Sequence, residues 1–335
     1  MKQLIRFMSL ATLWLFVNQR GFSYDFEVGG IYYGLNTNTQ TAYVTYGDKK
    51  YSGIVNIPES ITFNGRTLDV LEIGSQTFSD CSDLISVNIP QSIHSIGGGA
   101  FQGCTSLSTI NLPNALAEIS GSTFKNCTNL VSIVLPNKIS RIGYNAFEGC
   151  TKLESINLPE STNEIQGYAF AYCTSLRAIV IPRSVEKLHD WSFRDCIGLK
   201  TIVLEDSDKG IGSGGYLYDR NRAFWGTSPH YIYIGRNIID NLFYGNGDNE
   251  GINFSNLSTL SIGSHVNSAI ITNISLWSSL KSIYCFSSNP ESVEVSFGTN
   301  TYVNAKLYVP TGTKEKYLAA EGWKNFFQIE EMNVS

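Results

Sequence analysis

The chain has 335 residues, of which 42% are apolar and 16% charged, a balance that suits a packed fold and excludes a solvated disordered tail. Its 24 basic and 29 acidic side chains leave a net charge of −5, and no basic run tracks a phosphate backbone, so no nucleic-acid partner is expected.

Lys2 and Arg6 precede an apolar stretch from Phe7 to Val17, and Gly21-Phe22-Ser23 puts small residues at the −3 and −1 positions of a cleavage site. This pattern predicts a secretory signal peptide over residues 1–23, with Tyr24 as the first mature residue. Eleven apolar residues are too few for the roughly 20 that span a bilayer, so no membrane-spanning segment is expected in the mature chain. Cleavage removes Lys2, Arg6 and Arg20 but no acid, leaving 21 basic against 29 acidic side chains, a net of −8. The expected location is extracellular or at the cell surface, a periplasmic one being compatible. The first cysteine is Cys81, so nothing suggests a lipid anchor near the cleavage site.

Residues 24–52 read as a β-hairpin cap, with turns expected at Val28-Gly29-Gly30-Ile31 and at Gly47-Asp48. A period then governs residues 53–204. Cys81, Cys104, Cys127, Cys150, Cys173 and Cys196 are each 23 residues apart. Three residues before them stand Phe78, Phe101, Phe124, Phe147, Phe170 and Phe193, and three after them Leu84, Leu107, Leu130, Leu153, Leu176 and Leu199. Aliphatic pairs follow at six and eight, as in Ile133/Leu135 and Ile156/Leu158, and five of the six units then have proline. The period-two alternation predicts a strand with one face buried, closed by the proline. A second short extended piece carries a later apolar pair, such as Ile139/Ile142, and a helical turn inserts the Phe. Upstream, Val55/Ile57 with Pro58 match the strand positions, and Asn64-Gly65 suits a two-residue hairpin.

Residues 205–310 continue the array irregularly, through Ile232/Ile234, Leu260/Ile262, Ile283/Cys285 and Leu307/Val309, at spacings of 28, 23 and 24. Residues 311–335 form a C-terminal cap, in which Lys314–Ala320 is helical and Trp323, Phe326 and Phe327 close the end. The fold expected is a repeat solenoid of about eleven coils with parallel strands, because one coil cannot bury its own apolar face and neighbours must complete it.

Units such as Ala146-Phe147-Glu148-Gly149-Cys150-Thr151-Lys152-Leu153-Glu154-Ser155-Ile156-Asn157-Leu158-Pro159 resemble the leucine-rich repeats of BspA-like surface proteins. The opening Tyr24-Asp25-Phe26-Glu27-Val28 and the closing Leu307 to Trp323 are similar to the ends of such proteins in Bacteroides-type bacteria. The resemblance implies a leucine-rich repeat fold, a secreted or surface location, and adhesion to host proteins or other cells.

Six cysteines at equivalent depth would put neighbouring Cα atoms about 5 Å apart, but parallel Cβ vectors suit a disulfide poorly, so free buried thiols are expected. No catalytic signature appears: His94, His189, His230 and His265 fall in four different coils, and H-E-x-x-H, C-x-x-C and G-x-S-x-G are absent. An enzyme, a cofactor and a metal site are therefore not expected. Asp206-Ser207-Asp208-Lys209-Gly210 imitates the start of a calcium loop, yet Leu217 stands where a bidentate Glu belongs, and Asn246-Gly247-Asp248-Asn249-Glu250 invites the same caution.

The expected function is a protein-interaction scaffold or adhesin binding a host or neighbouring-cell protein. Carbohydrate capture by exposed tyrosines is an alternative, and a structural surface component a second. Strand residues five and seven after each cysteine point outward. The seventh position includes Asn88, Asn111 and Asn157, then by matching strands Tyr233, Tyr284 and Tyr308, while Tyr231 occupies the fifth. Tyrosine offers large area, few rotors and a hydroxyl, so Tyr231, Tyr233, Tyr284 and Tyr308, flanked by Lys306, form the expected partner-binding patch, with Asn88, Asn111 and Asn157 as further contacts.

Overall fold

The computed structural model describes residues 24–212, 222–239, 242–243, 245–246, 250–266 and 277–333. The signal peptide expected over residues 1–23, Leu217, and residues 247–249 of the second calcium-like stretch lie outside them.

The coils stack on a column in which Phe78, Phe101, Phe124, Phe147, Phe170 and Phe193 are fully buried. Successive rings from Phe78 to Phe193 are 5.1–5.4 Å apart and within 14° of parallel. The column runs further than the cysteine spacing predicts. It continues to Phe224 and Phe243 at 5.2 and 5.6 Å, and Tyr51 begins it, 4.8 Å from Phe78.

Two left-handed residues per coil shape the turn around each Phe. Five residues before the cysteine, Gln76, Gly99, Ser122, Asn145, Tyr168 and Trp191 have positive φ; immediately before it, so do Asp80, Gly103, Asn126, Gly149, Tyr172 and Asp195. Alternate amides therefore point in different directions. Those of Ala146, Glu148 and Cys150 close short turns within their coil, while those of Asn145, Phe147 and Gly149 donate to Gly167, Ala169 and Ala171 of the next. The expected helical turn is thus a pair of consecutive tight turns that carry a ladder of their own.

Cysteine suits the adjoining position because its thiol is small enough for the column and can donate. The Sγ atoms of Cys104, Cys127, Cys150, Cys173 and Cys196 lie 3.0–3.2 Å from the carbonyl oxygens of Phe78, Phe101, Phe124, Phe147 and Phe170, one coil back. All seven cysteines are free and buried.

The outer strand row is thin in the middle of the array and broad at its end. Gly53–Asn56 pairs with Leu84–Asn88, and Ser132–Val134 with Ser155–Asn157, both in parallel. Ala178–Ile181, Thr201–Leu204, Tyr231–Ile234, Thr259–Ile262, Ser282–Cys285, Lys306–Pro310 and Gln328–Met332 then form a parallel sheet of seven strands. A second row of two-residue strands, Glu118–Ile119, Arg141–Ile142, Glu164–Ile165 and Lys187–Leu188, completes the coil section.

The ends differ from the sequence reading in three respects. Phe26–Val28, Ile31–Asn36 and Thr41–Thr45 form an antiparallel meander whose second turn spans residues 37–40, not Gly47-Asp48. Gly47 serves a different need: a Cβ there would come within 2.3 Å of the Tyr32 ring. At the other end, Lys314–Ala319 is helical and Trp323 and Phe326 are buried, but Phe327 is 78% exposed. Phe327 precedes the strand Gln328–Met332, which extends the parallel sheet by a rung that the sequence reading places inside a cap. The Asn64-Gly65 hairpin is as expected, with Phe63 opposite Arg66.

Where the array becomes irregular, Arg236 takes over from regular coil contacts. It is fully buried, and its guanidinium donates to the carbonyls of Ile181, Pro182, Arg183 and Val185 at 2.6–3.1 Å. Burial holds it below the usual arginine range, near 10.

Burial pushes the thiols of Cys150 and Cys196 up to about 12 and that of Cys285 to about 11, and raises the other four as well. In the unfolded chain a thiol ionises near pH 8.5. The unfolded state then binds fewer protons than the folded one, so stability present below about pH 8.5 is lost as the pH climbs toward the native values. Each thiol contributes up to about 1.4 kcal/mol per pH unit to that loss. Urea unfolding at pH 8, 9 and 10 should show a steep fall, and Cys150→Ala a slope gentler by about 1 kcal/mol per unit; equal slopes for the two proteins would contradict this assignment.

Candidate functional site

The seven-stranded sheet positions the outward side chains by its register. One column runs Val203, Tyr233, Ser261, Tyr284, Tyr308, Glu330; the neighbouring one runs Thr201, Tyr231, Thr259, Ser282, Lys306, Gln328. On the same strands the positions of Ile202 and Leu204 turn inward: Ile232, Ile234, Leu260, Ile262, Ile283, Cys285, Leu307 and Val309 are all fully buried. Alternation alone thus places four tyrosines and a lysine on one face.

The rings divide into two groups about Ser261, which is only 4% exposed although it lies on the outer face. On one side, Tyr284 and Tyr308 stack with centroids 4.6 Å apart and planes 8° from parallel. Lys306 Nζ lies 5.4 Å from the Tyr308 centroid and pairs with Glu330. Its hydrogen bond to Glu330 raises the ammonium above its ordinary range. On the other side, the Tyr233 hydroxyl donates to Asp206 Oδ1 at 2.7 Å. Burial first, then that bond, raises the phenol well above its usual value, so it stays a donor. His265 Nδ1 lies 3.7 Å from the same oxygen. The notch holding this pair is cut by Gly263, where a Cβ would approach Asp206 Oδ1 to 2.5 Å and Tyr233 Oη to 2.8 Å.

Of the residues expected to bind a partner, Tyr231, Tyr233, Tyr284, Tyr308 and Lys306 are thus brought onto one sheet. Asn88, Asn111 and Asn157 are exposed on the same outer row, but Val180 and Val203 stand between Asn157 and Tyr233. Asn88 bonds to Asn56, and Asn111 and Asn157 flank Val134, itself 85% exposed. They form a separate stretch of surface.

Asp206 and Glu330 hold Tyr233 and Lys306 in place, and the sequence reading assigned neither to this site. Asp206 stood only as the start of a calcium-like loop, and no signal linked it to a tyrosine 27 residues on. A column-by-column alignment would have found Glu330, two residues after Gln328 as Tyr308 is after Lys306. Among the described residues no group of three or more His, Cys, Asp or Glu side chains is placed to hold a metal ion. The four histidines do not converge; His189 is buried, with Nε2 2.7 Å from Glu164 Oε1.

Comparison with known proteins agrees with this architecture. The model of the BspA type leucine rich repeat region matches in six copies over residues 71–200 and 163–293. Among solved structures, a leucine-rich repeat protein from Bacteroides ovatus is 21% identical, with 92% of this chain and 100% of that chain covered and a TM-score of 0.47. A leucine rich cell surface protein from Faecalibacterium prausnitzii is 18% identical over 92% and 95% of the two chains, with a TM-score of 0.45. The leucine rich repeat protein of T. pallidum is 26% identical over 66% and 88%, with a TM-score of 0.37. A search of curated proteins found no match.

Tyr233→Phe should lower the unfolding free energy by about 1 kcal/mol, the size of one hydrogen bond that is partly open to water. Adding Asp206→Ala should cost less than the two single changes summed, because both remove the same bond. Strict additivity in a denaturant double-mutant cycle would show that the two residues are not coupled.

Proposed function

The chain belongs to the BspA-type leucine-rich repeat family, and on that footing we propose that it is exported and acts as a protein-interaction scaffold at or outside the cell surface. The pattern of residues 1–23 supports export, and among the described residues no helix is long and apolar enough to cross a membrane. The partner is a host or neighbouring-cell protein, and the contact is the tyrosine face of the last strands.

One observation carries this reading. The outer strand column holds Asn88, Asn111, Val134 and Asn157 in the regular coils and Val180 and Val203 in the first two strands of the broad sheet, and then Tyr233, Ser261, Tyr284 and Tyr308. Inward residues of the same strands keep their aliphatic character, so the change serves the surface and not the core. Two of the rings are stacked and a third is tethered to Asp206, which reduces the side-chain entropy lost on binding. Lys306 and Glu330 rim the patch with opposite charges.

The test is a Tyr233→Ala/Tyr284→Ala/Tyr308→Ala variant, first checked by its melting profile and then set against the wild type on immobilised extracellular-matrix proteins and on intact cells. Loss of even one hot spot costs at least about 2 kcal/mol, so binding should weaken about thirtyfold or more. Affinity within about twofold of the wild type would rule the patch out as the contact. A glycan array beside it separates carbohydrate capture from protein binding.

A further inference from the structure

The turn face carries a second aromatic cluster, on a different side of the coil from the strand tyrosines, and it begins from a backbone anomaly. The two left-handed positions of each coil are filled by Gly, Asn, Asp, Ser or Gln from residue 76 to residue 149. In the next two coils three of the four such positions hold Tyr168, Tyr172 and Trp191, with φ of 57°, 61° and 59°, and only Asp195 keeps the earlier type. A left-handed conformation costs a residue with a Cβ roughly 1–2 kcal/mol, and bulky side chains rarely adopt it. Three large aromatics where the repeat elsewhere uses small or polar residues mark a place at which local preference has yielded to another demand.

The side chains assemble into one layered group. Tyr168 and Trp191 are 5.1 Å apart, centre to centre. The Arg222 guanidinium lies 5.5 Å from the ring centres of both Trp191 and Trp225, and that of Arg194 lies 5.8 Å from Tyr172 and 5.9 Å from Trp191. Arg194 Nε also donates to Asp195 at 3.0 Å. Arg222 differs: among the described residues its side chain meets no carboxylate, and Asp190 Oδ1 instead accepts the Arg222 backbone N–H at 2.8 Å. Its Nε is buried, with no hydrogen-bond partner among the described residues. A guanidinium placed against two indoles is a pre-set fork whose natural complement is a carboxylate.

We propose that this cluster binds an acidic saccharide, its carboxylate on the Arg222 fork and a sugar face against the exposed Tyr172 and the half-buried Tyr168, Trp191 and Trp225. Asp190 and Asp195 decide between this ligand and an acidic peptide. They balance the two arginines, so a run of carboxylates gains no net attraction, whereas sugar hydroxyls find acceptors in both. The site is independent of the tyrosine face and of the protein partner proposed for it.

The test uses the purified full chain in titration calorimetry with N-acetylneuraminic acid and a galacturonic acid trisaccharide. Their carboxyl-reduced forms and a hexaglutamate peptide are the controls. At least one acidic saccharide should bind, with its reduced form and hexaglutamate weaker by about tenfold or more. Arg222→Gln should abolish that preference, and Arg222→Lys, which keeps the charge but not the fork, should not restore it. Trp191→Gly should bind at least about tenfold more weakly while melting close to the wild type, since glycine relieves the left-handed strain. A Trp that only packs would instead lower the melting midpoint and leave affinity alone. Absence of binding by both acidic saccharides, equal binding of the reduced forms or of hexaglutamate, or wild-type affinity in Arg222→Gln and Trp191→Gly would each overturn the proposal.

Discussion

Everything else in this protein hangs on the contact that each coil makes with the next along the phenylalanine column. There, three backbone amides per coil donate across the interface, as those of Asn145, Phe147 and Gly149 do, and a buried ring lies on the ring before it. The cysteine thiol adds a donor to the carbonyl of the preceding Phe. A ring in such a column contributes about 3–5 kcal/mol relative to alanine. The geometry requires left-handed residues at two fixed places per coil, and Gly149 shows how closely the layers approach: a Cβ there would meet Asn126 Oδ1 at 2.3 Å.

With stacking secured at the turn, the strand row is released from that duty. Residues 107–110 form no strand at all, and Asn111 makes only a single bridge to Val134. Outward side chains there face water and can vary freely, as the change from asparagine and valine to tyrosine along the array illustrates. Irregularity is absorbed in the same way. The long coil before Tyr231 breaks the repeat, yet the Phe193 to Phe224 contact preserves the column and Arg236 satisfies carbonyls on the turn two coils back.

The regular coils were legible because their period, their inward apolar pairs and their buried Phe and Cys follow from one spacing. Phe224 and Phe243 were not, since the spacing lengthens and Thr227 replaces the cysteine that would have flagged Phe224; its hydroxyl bonds to Phe224 within its own coil. The strand Gln328–Met332 was hidden behind a helix-like stretch and an aromatic cluster that read as a cap. At the candidate site, alternation was enough to aim the tyrosines outward. What held them was not, because Asp206 reaches Tyr233 across coils of unequal length. The aromatic turn positions needed a backbone conformation that no residue-type pattern discloses.

Native-state hydrogen exchange tests most directly whether the turn column is the spine. The amides of Phe101, Phe124, Phe147 and Phe170, each donating to the next coil, should exchange at or near the rate of global unfolding. Those of Ser108, Thr109 and Ile110, outside any strand, should exchange through smaller local openings. Protection that is greater along residues 108–110 than at the four phenylalanines would place the spine on the strand face and contradict the account.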